Sequence, residues 1–264
     1  MPEGDTIWRT ARALHAALAG KAVLAFDSSL VAVVAAARRL GVVGQTIEAV
    51  EARGKHLLVR FAGGAVLHTH QGMRGSWRLA RRPGAARRPH APARAVIETA
   101  DVVAVCSLAP VVELLSSSQA ATHPALSRLG PDLLKPDFDP DVARRRLRQR
   151  GELPVGVALM DQTALAGIGN VYKSEVLFLC GVSPLARVRD LDDGTIDRLV
   201  TKGGELLRRN LGPGPRRTTS ALSPLRHWVY RRSQEPCRRC GTAIERVVQG
   251  DAARSTYFCP ACQR

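Results

Sequence analysis

Cys237-Arg238-Arg239-Cys240 and, eighteen residues later, Cys259-Pro260-Ala261-Cys262 stand at the end of the 264-residue chain. Two such close pairs bring four thiolates to one point, the donor set of a closed tetrahedral Zn2+ site with no open position. The alternative is four unrelated buried cysteines crowded into the last 28 residues. A tail this short cannot bury an adequate core, so the single Zn2+ is structural and supplies folding energy. Between the pairs, Arg254-Ser255-Thr256-Tyr257-Phe258 reads as the second strand of a β-hairpin with an arginine near its tip. Taken alone, Arg254 is either a phosphate contact or one more solvated arginine. Cys106 and Cys180 lack such partners and read as core residues.

Moving toward the N-terminus, the pattern is helical. Residues 211–224 are rich in Gly, Pro, Ser and Thr and read as flexible; Asp193 to Asn210, Val171 to Cys180, residues 152–161 and Asp141 to Gln149 read as helices. Gly167-Ile168-Gly169-Asn170 is a glycine-bearing turn that opens one of them. Exposed backbone N–H groups and a positive dipole end make such a turn a phosphate site, although many helix pairs use glycine turns for packing alone. Ser116-Ser117-Ser118 and the stretch to Pro131 read as a linker.

The first half reads as β behind one helix. Ile7, Ala11, Leu14 and Leu18 make a single apolar stripe, with Asp5 or Thr6 able to cap it and Gly20 to stop it. Strand-like material follows. Lys55 to Phe61 leads through Gly63-Gly64 into Ala65 to His68, a hairpin signal, and Val96-Ile97 and Val102–Val105 suggest further strands. Residues 78–94, full of arginine, proline and alanine without periodicity, read as a mobile basic loop. The fold class is therefore α+β.

Thirty-nine basic residues against 23 acidic ones give a net charge of +16. Such a field recruits a polyanion, of which nucleic acid is the commonest large one. Only five of the cations are lysine, so arginine dominates, a pattern that heavy coding bias also produces. Met1 to Asp5 is polar and acidic where a secreted chain needs a cationic and then an apolar start, and no apolar run reaches membrane length. A cytoplasmic location, where paired cysteines suggest metal before disulfide, is the expectation.

Removal of Met1 would leave a secondary amine on Pro2. An α-amino group titrates near pH 8, so a usable fraction is neutral, and the positive end of the nearby helix should lower the value further. Attack of such an amine on a sugar C1′ expels the base and leaves a cationic iminium. The adjacent Glu3 could donate and accept protons. Composition alone also allows Pro2 to be a mere outcome of processing.

These features in this order resemble the formamidopyrimidine-DNA glycosylase and endonuclease VIII family. The likeness runs through Pro2-Glu3-Gly4-Asp5-Thr6, Gly54-Lys55-His56-Leu57 and His70-Gln71-Gly72-Met73-Arg74-Gly75-Ser76-Trp77. It continues through Asp161 to Glu175 and Arg254 to Pro260, and so covers nearly the whole chain. The resemblance implies an N-terminal β-sandwich with a leading helix, then a helix–two-turn–helix domain with a C-terminal β-hairpin zinc finger. It divides the chain into a catalytic domain at 1–117, a linker at 118–132, a DNA-binding domain at 133–230 and a finger at 231–264. Duplex DNA with an oxidised base or an abasic site would lie in the cleft, its damaged nucleotide flipped out to meet Pro2. The resemblance implies Pro2, Glu3 and Lys55 as catalytic residues. It implies Asn170, Lys173 and Arg254 as DNA contacts, and Met73 as the wedge into the emptied stack.

Two departures stand out. Thr6 replaces a glutamate that many members carry, and Cys106 to Leu115 holds neither the arginine nor the phenylalanine of a loop that fills the void. Both lean toward the endonuclease VIII side and oxidised pyrimidines. The expectation is a monomeric bifunctional glycosylase and abasic-site lyase that ends in β,δ-elimination, with no membrane partner. The rivals are a member that binds damage or processes only abasic sites, and a non-enzymatic zinc-finger DNA-binding protein, which has no reason to keep Pro2-Glu3 beside a helix start.

Overall fold

The computed structural model describes residues 2–81, 93–220 and 223–264, and it divides into two units, Met1–Arg128 and Leu129–Arg264. In the first unit, α1 (Gly4–Leu18) is followed by β1 (Ala25–Asp27), α2 (Val31–Arg39), β2 (Ile47–Arg53), β3 (His56–Phe61) and β4 (Val66–His70). Then come β5 (Ser76–Arg81), β6 (Ala93–Glu98), β7 (Val102–Ser107), β8 (Val111–Leu115), α3 (Ser117–Thr122) and α4 (Pro124–Ser127). The strands form two antiparallel four-stranded sheets, ordered β1-β6-β7-β5 and β2-β3-β4-β8. One core joins them: Ile7, Leu14 and Leu18 of α1 pack with Leu57, Phe61 and Leu67 of one sheet and Ile97, Ala104 and Cys106 of the other. Inward and outward residues alternate, as a sandwich requires.

The apolar stripe of α1 is buried as its spacing predicts, but the helix starts at Gly4, with Glu3 and not Asp5 or Thr6 at the N-cap. The expected strand-like stretch after Gly20 contains a helix, α2. Its valines and alanines bury Val33, Ala36 and Ala37 at helical spacing, and this packing overrides the β preference of valine. The hairpin is confirmed in register, with Val59 opposite Leu67. Of the basic stretch 78–94, residues 78–81 belong to β5 and 93–94 to β6, while 82–92 lie outside the described residues. The stretch read as a linker holds α3 and α4; Ser116 and Gln119 form a capping box at the start of α3.

In the second unit, α5 (Pro140–Arg148), α6 (Val155–Ala158), α7 (Asn170–Cys180) and α8 (Asp193–Arg209) precede a hairpin of β9 (Glu245–Gln249) and β10 (Arg254–Phe258). Asp139 caps α5 through Asp141 N at 2.9 Å and Val142 N at 3.0 Å, and Gly181, with φ +72°, ends α7. The helix expected over 152–161 shrinks to four residues, since the backbone N–H groups of Val155 and Gly156 bond instead to Ala186 and Pro184. The described part of 211–224 is tied down: Asn210 accepts from Arg217 N at 2.7 Å and donates to Arg217 O at 2.9 Å. Residues 221 and 222 lie outside the described residues. A helical core around Tyr172 and Leu207 is joined by a smaller cluster of Phe178, Val229, Ile244, Cys237 and Cys259 under the hairpin. No helix among the described residues is long and apolar enough to cross a membrane.

Candidate functional site

In the first unit the chemistry-bearing residues cluster at the start of α1 and on turns. Pro2 immediately precedes Glu3, whose backbone is extended (φ −128°) and whose carbonyl accepts from Thr6 N at 2.9 Å and Ile7 N at 3.1 Å. The Glu3 side chain is fully buried without capping the helix, and Asp5 in the first turn is equally buried, 3.9 Å from Arg9. Burying carboxylates is costly unless they are paired or put to use, so two of them at the start of one helix mark a built site.

Lys55 sits on the two-residue turn between β2 and β3, where Arg53 faces His56. Gly54 takes φ +58° there, a conformation that a side chain would strain. Met73 lies on the turn between β4 and β5. That turn is tight: a Cβ on Gly72 would meet Pro110 Cγ at 2.7 Å, and one on Gly75 would meet Gln71 O at 2.3 Å. Met73 is therefore 67% exposed on a stiff support.

The segment 106–115, which lacks the arginine–phenylalanine loop, is the end of β7, a three-residue connection and β8. Leu108 in that connection is 49% exposed with φ +55°, and its neighbours Ala109 and Pro110 touch the Met73 turn. Leu108 is a candidate that sequence reasoning missed. A leucine in a short connection carries no motif, and only its exposure and left-handed backbone single it out.

In the second unit the two-turn segment is stitched by Gln162, which donates to Met160 O at 2.8 Å and Ile168 O at 3.0 Å and accepts from Gly167 N at 3.1 Å. This stitching, with Gly167 at φ +106°, delivers Asn170 to the first position of α7. Asn170 is almost buried. One hydrogen of its Nδ2 goes to Ser255 O at 2.7 Å, and Oδ1 is buried with no partner among the described residues. The contact places Asn170 one residue from Arg254, the first residue of β10. The structure thus brings together, around one helix start, two groups that lie far apart in sequence.

Lys173 requires a correction. Its side chain is 1% exposed, and Nζ donates to Thr256 Oγ1 at 2.7 Å, with Ser255 O at 3.5 Å. Three residues after Asn170, it faces the hairpin and braces it, which leaves no surface for phosphate. Glu175, the last residue of the Asp161–Glu175 motif, has a role that its place in the sequence does not reveal. Fully buried, it accepts from the backbone N–H groups of Trp228 (2.8 Å), Val229 (2.9 Å) and Tyr230 (2.8 Å) and from the Thr218 hydroxyl.

The four cysteines converge, with Sγ–Sγ separations of 3.9 Å for Cys237–Cys262, 3.5 Å for Cys240–Cys259 and 3.4 Å for Cys240–Cys262. A tetrahedron with Zn–S bonds of about 2.3 Å has edges of about 3.8 Å. The residues fit a Zn2+ ion, which would close the base of the hairpin carrying Arg254.

Comparison with known proteins agrees across the whole chain. Residues 1–107 match the formamidopyrimidine-DNA glycosylase N-terminal domain, 129–220 its H2TH domain and 234–264 the zinc finger found in FPG and IleRS. The chain is 43% identical to a probable endonuclease 8 2 of Streptomyces coelicolor, covering all of this chain and 94% of that one. It is 40% identical to the DNA-(apurinic or apyrimidinic site) lyase Nei2 of Mycolicibacterium smegmatis, covering 100% and 99%. Among solved structures, Lactococcus lactis formamidopyrimidine-DNA glycosylase bound to DNA containing an abasic site aligns over both full chains, with a TM-score of 0.82 and 26% identity.

Proposed function

This chain belongs to the formamidopyrimidine-DNA glycosylase and endonuclease VIII family, and we propose from that premise how its residues divide the work. It is a DNA glycosylase and abasic-site lyase of base excision repair, acting on damaged DNA and holding one structural Zn2+ at its four tail cysteines.

Pro2, freed by removal of Met1, is the nucleophile. Its nitrogen bonds to C1′ of the damaged nucleotide, the C1′–base bond breaks, and the base leaves with a proton. Opening of the sugar ring then gives a cationic iminium, which acidifies the C2′ hydrogen; a base removes that proton, the electron pair left behind expels the 3′ phosphate, and δ-elimination of the 5′ phosphate, with loss of the C4′ proton, completes the cut. Glu3 carries the protons, a role supported by one observation above all: its carboxylate is buried at the head of α1, directly after Pro2. Lys55 and Arg254 hold phosphates, and Asn170 assists Arg254 from the start of α7. Met73 and Leu108, exposed on touching turns, fill the gap left by the flipped base. Oxidised pyrimidines are the proposed substrates, supported by the greater likeness to endonuclease 8 proteins. The site of action is the bacterial nucleoid in the cytoplasm.

Borohydride reduction on an abasic duplex tests the nucleophile. The iminium should be fixed as a covalent protein–DNA adduct, and a one-residue extension ahead of Pro2 should abolish it. Trapping that survives the extension but disappears in Lys55→Ala would move the nucleophile to the lysine.

A further inference from the structure

Four histidines and a glutamate gather on the outer face of the β2-β3-β4-β8 sheet, beginning next to the Lys55 turn. The period of β4 puts His68 and His70 on one face, away from core residue Leu67. His68 lies directly opposite Glu113 on β8, and His56 on β3 opposite His70. His123, at the junction of α3 and α4, closes over them. His68 Nδ1 is 2.9 Å from Glu113 Oε2, and His123 Nε2 is 3.1 Å from the same oxygen; the three ligand atoms all lie within 4.8 Å of one another.

We propose that His68, Glu113 and His123 form a second metal site, for a divalent transition ion of the zinc class, independent of the four cysteines. Two imidazoles and one carboxylate with room for water are a donor set that zinc, cobalt and nickel accept. The surroundings suit it. His56 Nδ1 stands 2.8 Å from His68 Nε2, so a neighbouring ring orients the ligating imidazole through its other nitrogen, as metal-bound histidines require. Glu113 is half exposed, which gives an ion a way in.

Binding would exchange the hydrogen bonds on the carboxylate for bonds to the ion. Without metal, the carboxylate accepts N–H from His68 Nδ1 and His123 Nε2. With metal, the ring protons shift to His68 Nε2, which then donates to His56 Nδ1 as the His56 proton moves to that ring's own Nε2, and to His123 Nδ1, which gives up its long 3.3 Å bond from Ala125 N. The ion would staple β4 and β8 to the α3–α4 junction, fixing residues 116–128 to the sheet.

The test uses the full chain with its cysteine site loaded with zinc. Equilibrium dialysis against cobalt should add one Co2+ per chain without displacing zinc, with weak ligand-field bands and no intense thiolate-to-cobalt absorption. His123→Ala and Glu113→Gln, both at the rim, should each weaken cobalt binding by at least roughly tenfold, which is the lower bound for losing even an outer partner of a metal ligand. His15→Gln, a histidine outside the cluster, should leave it unchanged. Circular dichroism and retained zinc would show that each variant is folded. The proposal fails if no second ion binds, if cobalt enters only by replacing zinc, or if both rim variants bind cobalt as the parent does.

Discussion

Glu3 and Glu175 are both fully buried, each at or inside a helix that begins next to a functional residue, yet they sit in opposite circumstances. Glu175 is surrounded by backbone: three consecutive N–H groups from Trp228 to Tyr230 point at it, and it ties that strand of chain to α7. Glu3 caps α1 with its backbone carbonyl and not with its side chain, and it directly follows Pro2, the nucleophile proposed above. A carboxylate saturated by main-chain donors is structural because it cannot gain or lose a proton without losing those bonds. One placed beside a proposed nucleophile is in position to carry the protons of the reaction.

That contrast is sharpest in a pair of variants. Glu3→Gln should lower base excision by roughly 10²–10⁴, the span expected for losing a general acid or base, while unfolding and DNA affinity stay close to the parent's. Full excision of an oxidised base by this variant would break the comparison from one side. Glu175→Ala should instead cost on the order of 3 kcal/mol of stability, since several buried donors lose a charged acceptor. An unchanged urea midpoint would break it from the other.

A similar division runs between the two units. The catalytic candidates of the first unit are positioned by α1 and two glycine-bearing turns, whereas the phosphate candidates of the second depend on a hairpin that metal must close. Cys259→Ser should bring zinc below one per chain and lower DNA affinity at least roughly tenfold, because each lost hydrogen bond to phosphate is worth about 1.5–3 kcal/mol. Normal affinity in the zinc-free protein would separate the finger from DNA binding.

The smallest effect separates neighbours on the hairpin. Arg254→Ala should flatten the dependence of log K on log salt by about one unit, as one fewer phosphate is neutralised. Lys173→Met should destabilise the hairpin but leave that slope unaltered, since its ammonium faces Thr256. Equal slopes for the parent and Arg254→Ala would mean that this arginine does not hold phosphate.

Much of the fold and of the site is legible in the order of the residues. Two cysteine pairs at fixed spacing, an apolar stripe with period 3.6 and a glycine turn ahead of a helix are local patterns, set by residues close in sequence. The chain alone therefore determined the zinc finger, α1, the β3–β4 hairpin and, through the order of its motifs, the family. Burial and long-range partners are not local. The resemblance marks Lys173 as a DNA contact, but the sequence does not show the Thr256 hydroxyl that meets it 83 residues later. The stretch after Gly20 reads as strand-like, whereas packing of Val33, Ala36 and Ala37 decides for a helix at Val31–Arg39. The roles of Glu175, Leu108 and the histidine cluster are not legible in sequence, since each draws its meaning from groups that only the fold brings near. Sequence fixes which chemical groups are present and their local spacing; whether a charge ends beside solvent, a backbone amide or another side chain is decided when distant segments pack and exclude water.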